Sequence, residues 1–303
     1  MIDSSFCFLP RVGVRTERRF WREGLSTWER FLMARTVPGI TAGRKARFDR
    51  EIAQAHEHFV RNDPRYFARA VPPRYHWRLY EWLRPRAVYL DIETNSFGEI
   101  TVVGLYGRGL YTSLIRGESL TWSRLRDELS RYDLLVTFCG STFDLPMLRA
   151  HFPDLPLVQS HLDLCSVGRQ LGYRGGLKTI ERVMGIERSP ELQGLTGHDA
   201  VQHWNRWRHR RDEEARRLLV AYNEADCVNL QPLADAFYCR LVQASGIEGH
   251  WKSVSEKDIA TIAAQDSHSP SQTFATSRCS TTLSRRDGRL EVLPDSADRW
   301  LAS

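Results

Sequence analysis

In Val88-Tyr89-Leu90-Asp91-Ile92-Glu93-Thr94, two carboxylates follow a short apolar run that is rich in strand-forming residues. The run predicts a β-strand. Because alternate residues of a strand lie on one face, we expect the side chains of Asp91 and Glu93 to point the same way. Two buried like charges are unfavourable unless a cation neutralises them, so the pair is a candidate site for a divalent metal. Taken alone, the same spacing favours two solvated acids at the end of a strand.

Two further motifs carry acids at positions where they could meet this pair. Asp144 follows a predicted buried strand and the turn Cys139-Gly140-Ser141-Thr142, and sites collect at such strand ends in open α/β sheets. Tyr222 and Asp226 are four residues apart in a predicted helix, so they share a face. Each motif also has a simpler interpretation. Asp144 could complement the start of a helix, and Tyr222 with Asp226 could be a core tyrosine and a surface acid.

The sequence around these motifs predicts the mixed sheet of an α/β protein. A hairpin turn at Gly107-Arg108-Gly109 joins two strands, and apolar runs then alternate with stretches of helical spacing. The predicted strands are residues 87–90, 100–106, 110–115, 134–138 and 157–164. The predicted helices of this part are residues 119–132, 143–151, 177–184, 199–217 and 218–242.

Together, the motifs resemble those of the DnaQ-like DEDD exonuclease superfamily, in the branch whose last motif is Tyr-x-x-x-Asp, and look most like bacterial YprB-like proteins. The stretches that carry the resemblance are Leu-Asp-Ile-Glu-Thr, Val-Thr-Phe-x-Gly-x-x-Phe-Asp-Leu-Pro, His-Leu-Asp-Leu and Tyr-Asn-x-x-Asp-x-x-Asn-Leu. They cover about residues 86–240. The resemblance implies an α/β fold, a ribonuclease H-like mixed five-stranded sheet flanked by helices, with a small helical N-terminal unit. Cys139 stands where related sequences often have asparagine.

The resemblance also implies an activity. The chain is expected to be a metal-dependent nuclease, a 3′–5′ exonuclease that hydrolyses phosphodiester bonds of single-stranded DNA or RNA with two Mg²⁺ or Mn²⁺ ions. The implied metal ligands are Asp91, Glu93, Asp144 and Asp226. Tyr222 would position the nucleophile. Two alternatives stay open, a structure-selective endonuclease and a catalytically inactive nucleic-acid-binding protein on the same fold.

The candidates for binding the nucleic acid are Thr94, Lys178, Arg11 and Arg18. Lys178 opens a predicted helix, where a cation and a helix N-terminus could hold phosphate, although the pattern also fits a solvated lysine. Residues 1–34 are similar to a degenerate helix-hairpin-helix module, with Arg11 in place of the first glycine of its turn and Arg18 on the next helix. For this unit, DNA binding and packing alone are both open.

The predicted organisation has four parts. These are a helix-hairpin-helix-like unit at 1–34, a helical linker at 35–85, a ribonuclease H-like exonuclease domain at 86–245 and a disordered tail at 246–303. The tail is predicted from polar, serine-rich stretches that lack periodicity. The run from Trp204 to Arg211 favours a solvated helix face over a clamp on a single strand.

Composition sets the limits on compartment and partner. The net charge of +6 and the pI of about 9.1 fit a partner that carries phosphate, although many basic proteins bind no nucleic acid. Six scattered cysteines without a Cys-x-x-Cys pair predict neither a zinc site nor a disulfide framework, so we expect reduced thiols and a cytoplasmic protein. We see neither a signal peptide nor a membrane span in the sequence.

Overall fold

A computed structural model describes residues 1–247 of the chain and two later strands, Leu283–Arg286 and Arg289–Val292, which pair antiparallel. The disorder predicted for residues 246–303 therefore concerns residues that lie mostly outside the described ones. None of the helices in the described part of the chain combines the length and the apolar character that a membrane crossing needs.

Five strands form one mixed sheet. They are β1 (Ala87–Thr94), β2 (Ile100–Gly107), β3 (Leu110–Ile115), β4 (Leu134–Thr137) and β5 (Ser160–Asp163). Their order is β3-β2-β1-β4-β5, with β1 antiparallel to β2 and parallel to β4. The arrangement confirms the predicted ribonuclease H-like sheet. The fifth strand is shorter than predicted at both ends: it begins at Ser160, and it ends at Asp163, whose side chain caps a helix that the sequence did not indicate.

Twelve helices lie in the described part of the chain. They are α1 (Val14–Arg22), α2 (Trp28–Met33), α3 (Ala42–Val60), α4 (Pro64–Ala70), α5 (Tyr80–Leu83), α6 (Trp122–Leu129), α7 (Asp144–His151), α8 (Leu164–Gln170), α9 (Leu177–Met184), α10 (Gly197–Arg210), α11 (Glu213–Val228) and α12 (Leu230–Ser245). Short 3₁₀ helices stand between some of them, including Pro73–Leu79.

The helix predicted at residues 199–217 is wrong in its extent, because the chain turns inside it. Arg211 adopts a left-handed φ of 53°, and Asp212 then caps α11 by accepting from the backbone N–H of Ala215. Such an acid at the N-cap satisfies amides that would otherwise lack partners. The predicted boundary at residues 217 and 218 does not exist, so Tyr222 and Asp226 lie well inside one continuous helix.

The two faces of β1 belong to different layers of the molecule. Val88, Leu90 and Ile92 pack in a cluster with residues of α6 and α7. Ala87 and Tyr89 face the opposite cluster, which contains residues of α12 and of the N-terminal helices. By strand alternation Asp91 and Glu93 lie on this second face, as predicted, and α11 covers the same part of the strand.

The N-terminal helices share the core of the sheet. One cluster of buried residues extends from Met1 through α1–α5 to Leu134 and Val136 of β4 and to α12. Within it, Arg78 forms an ion pair with Glu17, with both side chains almost fully buried. Glu17 also accepts from the backbone N–H of Phe6 at 2.7 Å. The division into a unit at 1–34 and a linker at 35–85 stays a prediction.

The edge strand β5 is covered by the N-terminal part of the chain. Nδ1 of His76 accepts from the backbone N–H of His161 at 3.0 Å, and Nε2 of His76 lies 2.9 Å from the carbonyl oxygen of Val71. The 3₁₀ helix Pro73–Leu79 and α4 both pack against β5. A side-chain ring thus takes the place that the next strand of a sheet would occupy.

Candidate metal and active site

Three of the predicted acids converge at one point. Asp91 and Glu93 on β1 and Asp226 on α11 each offer a carboxylate oxygen, and these oxygens lie within 4.8 Å of one another. Glu93 and Asp226 are buried, and Asp91 is partly buried. The meeting of the strand pair with the late helix follows from the packing of α11 across β1 and β2.

Asp144 stands beside this cluster but outside its shared point. It is the first residue of α7 and is 2% exposed. Its Oδ1 accepts from the backbone N–H of Ile92 at 3.1 Å, so it binds β1 between the two strand acids. No side chain caps the N-terminus of α7. The interpretation of Asp144 as an acid that serves only its own helix is therefore insufficient, and its role as a metal ligand stays a prediction.

The acids are buried together without enough positive charge to offset them. Burial, and then repulsion from Asp226, raises the pKa of Glu93 to about 8. Burial also raises the pKa of Asp144 to about 7, and the pKa of Asp91 well above its usual range. A set of buried oxygen ligands with excess negative charge is what Mg²⁺ and Mn²⁺ prefer. The donor set of this site therefore fits the implied divalent cation.

Tyr222 lies one helical turn before Asp226 and contacts Lys178. Nζ of Lys178 donates to the hydroxyl oxygen of Tyr222 at 2.5 Å and lies 4.2 Å from the centre of its ring. The same Nζ donates to the carbonyl oxygen of Leu195. Burial and the nearby acids raise the pKa of Tyr222, so its phenol is protonated at neutral pH. The structure thus brings Lys178 to the site, as a partner of Tyr222.

Asn223 is a site residue for which the sequence gives no separate signal. Its Nδ2 donates to Oδ2 of Asp91 at 2.8 Å, and its Oδ1 accepts from the hydroxyl of Tyr111 at 2.8 Å. Gly104 stands opposite Asp91 in the β1–β2 pair, and a Cβ there would lie 1.8 Å from Oδ1 of Asn223. The absence of a side chain at Gly104 is what lets the amide reach the acid.

Arg188 is a second site residue that the sequence did not indicate. It follows α9, and its Nη2 donates to Oδ1 of Asp226 and, at 2.7 Å, to Oε1 of Glu181. Its side chain is 7% exposed. A lone arginine in a loop has no periodicity or motif to reveal such a contact, because 38 residues separate it from Asp226.

The loop between β4 and α7 is bound to the start of α8. Oδ1 of Asp163 accepts from the backbone N–H groups of Cys139 and Cys165, and Oδ2 accepts from that of Ser141. Cys139 and Cys165 form a disulfide, so the prediction that all thiols are reduced is wrong for this pair. Both cysteines stand two residues beyond the ends of neighbouring parallel strands, where Thr137 pairs with Asp163. Sequence spacing alone does not reveal that proximity.

The remaining predicted contacts lie elsewhere or are already engaged. Thr94 ends β1 directly after Glu93. The guanidinium of Arg18 donates to the carbonyl oxygens of Ala244 and Ser245 at the end of α12. Arg11 is exposed and adopts a left-handed φ of 59°. The tryptophans of the run in α10 are buried in the core, which rules out the clamp and leaves polar and basic side chains on the surface.

A comparison with known protein families agrees with the fold. Residues 88–238 match the family model of the RNase H superfamily. One similar solved structure is that of the family B DNA polymerase from the hyperthermophilic archaeon Pyrobaculum calidifontis, with a TM-score of 0.43 and 16% sequence identity. The similarity covers 54% of this chain and 26% of the polymerase chain. No curated protein matches the sequence.

Proposed function

We propose that this chain, whose sheet is that of the ribonuclease H-like fold, is a metal-dependent nuclease that acts as a 3′–5′ exonuclease on single-stranded DNA or RNA. The observation that carries the proposal is the convergence of Asp91, Glu93 and Asp226 within 4.8 Å, with Tyr222 one turn away on the same helix as Asp226. Buried acids at this density cost folding free energy, so their convergence needs a functional cause.

In this proposal the metal ligands are Asp91, Glu93, Asp226 and Asp144. Bound Mg²⁺ or Mn²⁺ would lower the pKa of water and stabilise the charge of the departing oxygen. Asp144 holds the strand by its Oδ1 and keeps Oδ2 for a ligand role. Asn223 fixes the rotamer of Asp91 by donating to its Oδ2.

Tyr222 would orient the attacking water or the scissile phosphate by donating a hydrogen bond. Lys178 donates to the Tyr222 oxygen, which leaves the phenol proton directed elsewhere. Because the raised pKa keeps the phenol protonated, orientation is favoured over proton abstraction for this residue. Lys178 then acts through Tyr222 rather than as an independent phosphate contact.

Substrate contacts beyond the cluster are proposed at Thr94, Arg11 and Arg18. Thr94 follows Glu93 directly, whereas Arg18 would have to release the carbonyl oxygens at the end of α12. The N-terminal unit would then bind the phosphate backbone. The cytoplasm remains the proposed compartment, although the bond between Cys139 and Cys165 removes the argument from fully reduced thiols.

The test incubates the purified full chain with end-labelled single strands of DNA and of RNA, with and without Mn²⁺. We expect mononucleotide release from linear strands only when Mn²⁺ is present, and no cleavage of circular strands. The variant Asp91→Asn/Glu93→Gln should lose the activity, while Asp127→Asn, at an exposed acid of α6, should keep it. Equal degradation by the double variant would refute the nuclease site, and cleaved circles would favour the endonuclease alternative.

A further inference from the structure

The side chain of Arg188 is held mainly by a residue that has no part in the acidic cluster. Its Nε donates to Oε2 of Glu181 at 2.8 Å and its Nη2 donates to Oε1 at 2.7 Å. Glu181, on α9, is 2% exposed and also accepts from Nδ2 of Asn229 at 3.0 Å. A two-point bond between a guanidinium and a carboxylate fixes the plane of both groups. Two of the three hydrogen bonds that the Arg188 side chain donates therefore go to Glu181.

From this fixed position, Arg188 reaches the candidate ligand Asp226. Nη2 bridges Oε1 of Glu181 and Oδ1 of Asp226. Both Arg188 and Asp226 are nearly buried, with 7% and 11% of their side chains exposed. Nη1 of Arg188 is buried and has no hydrogen-bond partner among the described residues. The contact fixes the rotation of the Asp226 carboxylate, because Oδ1 is bound to the arginine, while Oδ2 has no hydrogen-bond partner in the described part of the chain.

We propose that Arg188 is a positioning residue for the metal, which holds Oδ1 of Asp226 and leaves Oδ2 as its ligand atom. The inference rests on the proposed function. Residues behind a metal ligand commonly set its orientation, and their loss weakens metal binding. Glu181 is the anchor of this unit, and Asn229 fixes the anchor in turn.

The positive charge of Arg188 disfavours metal binding, whereas its orientation of Asp226 favours it. The experiment must separate these two effects on metal affinity. A guanidinium beside Asp226 repels a divalent cation, so simple charge removal would tighten metal binding. Orientation would be lost at the same time. Because Glu181 fixes Arg188, the contact with Arg188 holds the Asp226 carboxylate in one orientation. We expect the loss of this orientation to weaken metal binding more than the relief of repulsion strengthens it.

The test measures Mn²⁺ binding by calorimetry on the full chain without nucleic acid. Arg188→Met alone would leave Glu181 as a buried unpaired charge, so the main variant is Glu181→Gln/Arg188→Met, which removes both charges. We expect it to bind Mn²⁺ roughly 10- to 100-fold more weakly than the wild type. Arg188→Lys keeps the charge but cannot bridge two carboxylates in one plane, so its affinity should also fall.

The matched control is Glu191→Gln/Arg217→Met, which removes an exposed ion pair of the same kind. Its Mn²⁺ affinity should equal that of the wild type. Thermal unfolding of each metal-free variant shows whether the protein is folded at the temperature of the titration. Arg188→Lys serves as the decisive variant if the double variant does not fold.

Two outcomes overturn the inference in distinguishable ways. If the wild type binds no Mn²⁺, the proposed function fails, and the inference fails with it. If the wild type binds Mn²⁺ but the folded Glu181→Gln/Arg188→Met and Arg188→Lys variants bind it equally well or more tightly, only the inference fails. Arg188 would then be a competitor of the metal or a purely structural residue.

Discussion

The amide of Asn223 donates to Oδ2 of Asp91 at 2.8 Å, and this bond joins α11 to the central strand of the sheet. The bond exists because the residue opposite Asp91 on β2 is Gly104. A Cβ at Gly104 would lie 1.8 Å from Oδ1 of Asn223 and 2.7 Å from Sγ of Cys227. Both atoms belong to buried side chains, so neither can move aside freely.

We therefore expect Gly104→Ala to lower the free energy of unfolding by about 1–3 kcal/mol, the usual cost of overpacking a core. It should also weaken Mn²⁺ binding, because Asn223 must leave Asp91. Urea denaturation and calorimetry measure the two effects. Gly43→Ala, in the first turn of α3, is the control: its Cβ meets nothing within 4 Å, so it should not lower the free energy of unfolding. Equal stability of the two variants would contradict the prediction.

Lys178 and Tyr222 should act as one unit in turnover. Tyr222→Phe removes the hydrogen-bond donor, and we expect nuclease activity to fall roughly 10²-fold while Mn²⁺ affinity stays unchanged. Lys178→Met should reduce activity through the same hydroxyl, so the double variant should lose little more than Tyr222→Phe alone. Single-turnover rates of the three variants measure this coupling. Multiplicative losses would show that Lys178 contacts the substrate independently.

The metal-free protein should lose stability as the pH rises from 6.5 to 8. The folded state keeps protons on Glu93 up to about pH 8 and on Asp144 up to about pH 7, whereas these groups lose them near pH 4 when unfolded. The folded state binds more protons in this window, so the free energy of unfolding falls, and Glu93 and Asp144 together account for about 2 kcal/mol of this loss. The opposing effect of His161, whose pKa is lowered to about 4 by burial, acts mostly below this window and offsets only a small part of the loss within it, because an unfolded histidine titrates near pH 6.5.

Urea denaturation in EDTA at several pH values checks this dependence. Glu93→Gln should make it shallower, because the amide does not titrate while Asp144 still does. Saturating Mn²⁺ should offset it, because a bound cation favours the ionised acids. A pH profile of the wild type that is flat between 6.5 and 8 would contradict the expected shifts.

The disulfide between Cys139 and Cys165 predicts a thiol count. Without reductant, the denatured protein should show two fewer free thiols than its six cysteines allow, and a reductant should restore them. Closing a chain segment of 26 residues should stabilise the fold by about 3 kcal/mol. Cys139→Ser/Cys165→Ser should have the same stability with and without reductant. Six reactive thiols in the oxidised protein would contradict the bond.

The buried pair of Arg78 and Glu17 should be essential for the N-terminal helices. Arg78→Met leaves Glu17 charged and unpaired in the core, which we expect to cost about 3–5 kcal/mol. Arg61→Met breaks an exposed ion pair with Glu57 and should change stability by less than about 0.5 kcal/mol. Chemical denaturation compares the two. If Arg78→Met lowered the free energy of unfolding no more than Arg61→Met does, the buried ion pair would not be essential for the N-terminal helices.

Much of the fold could be predicted from local patterns. The shared face of Asp91 and Glu93 follows from strand alternation. The shared helix face of Tyr222 and Asp226 follows from their spacing of four residues. The parts that were missed depend on contacts between distant segments. Asn223 reaches Asp91 only because the neighbouring strand has a glycine at position 104. Arg188 reaches Asp226 because Glu181 holds it beside α11, a helix that begins 25 residues later in the chain.

Errors of extent had a different origin, namely local signals that compete with periodicity. Within the helical linker predicted for residues 35–85, α3 ends at Val60, because Asn62 adopts a left-handed φ and Asp63 caps α4 at Pro64. The helical spacing on both sides of this break made it look continuous. Pro at the first position of a helix is a start signal, and it was present in the sequence.

The contact of the His76 ring with β5 has a consequence for self-association of the protein. An uncovered edge strand offers its backbone amides to any other strand, and such edges are the usual starting points of intermolecular β-pairing. Here the amide of His161 is already taken by a side chain from outside the sheet. The N-terminal segment therefore protects the sheet against aggregation, and a fragment that begins at β1 would expose this edge to its neighbours.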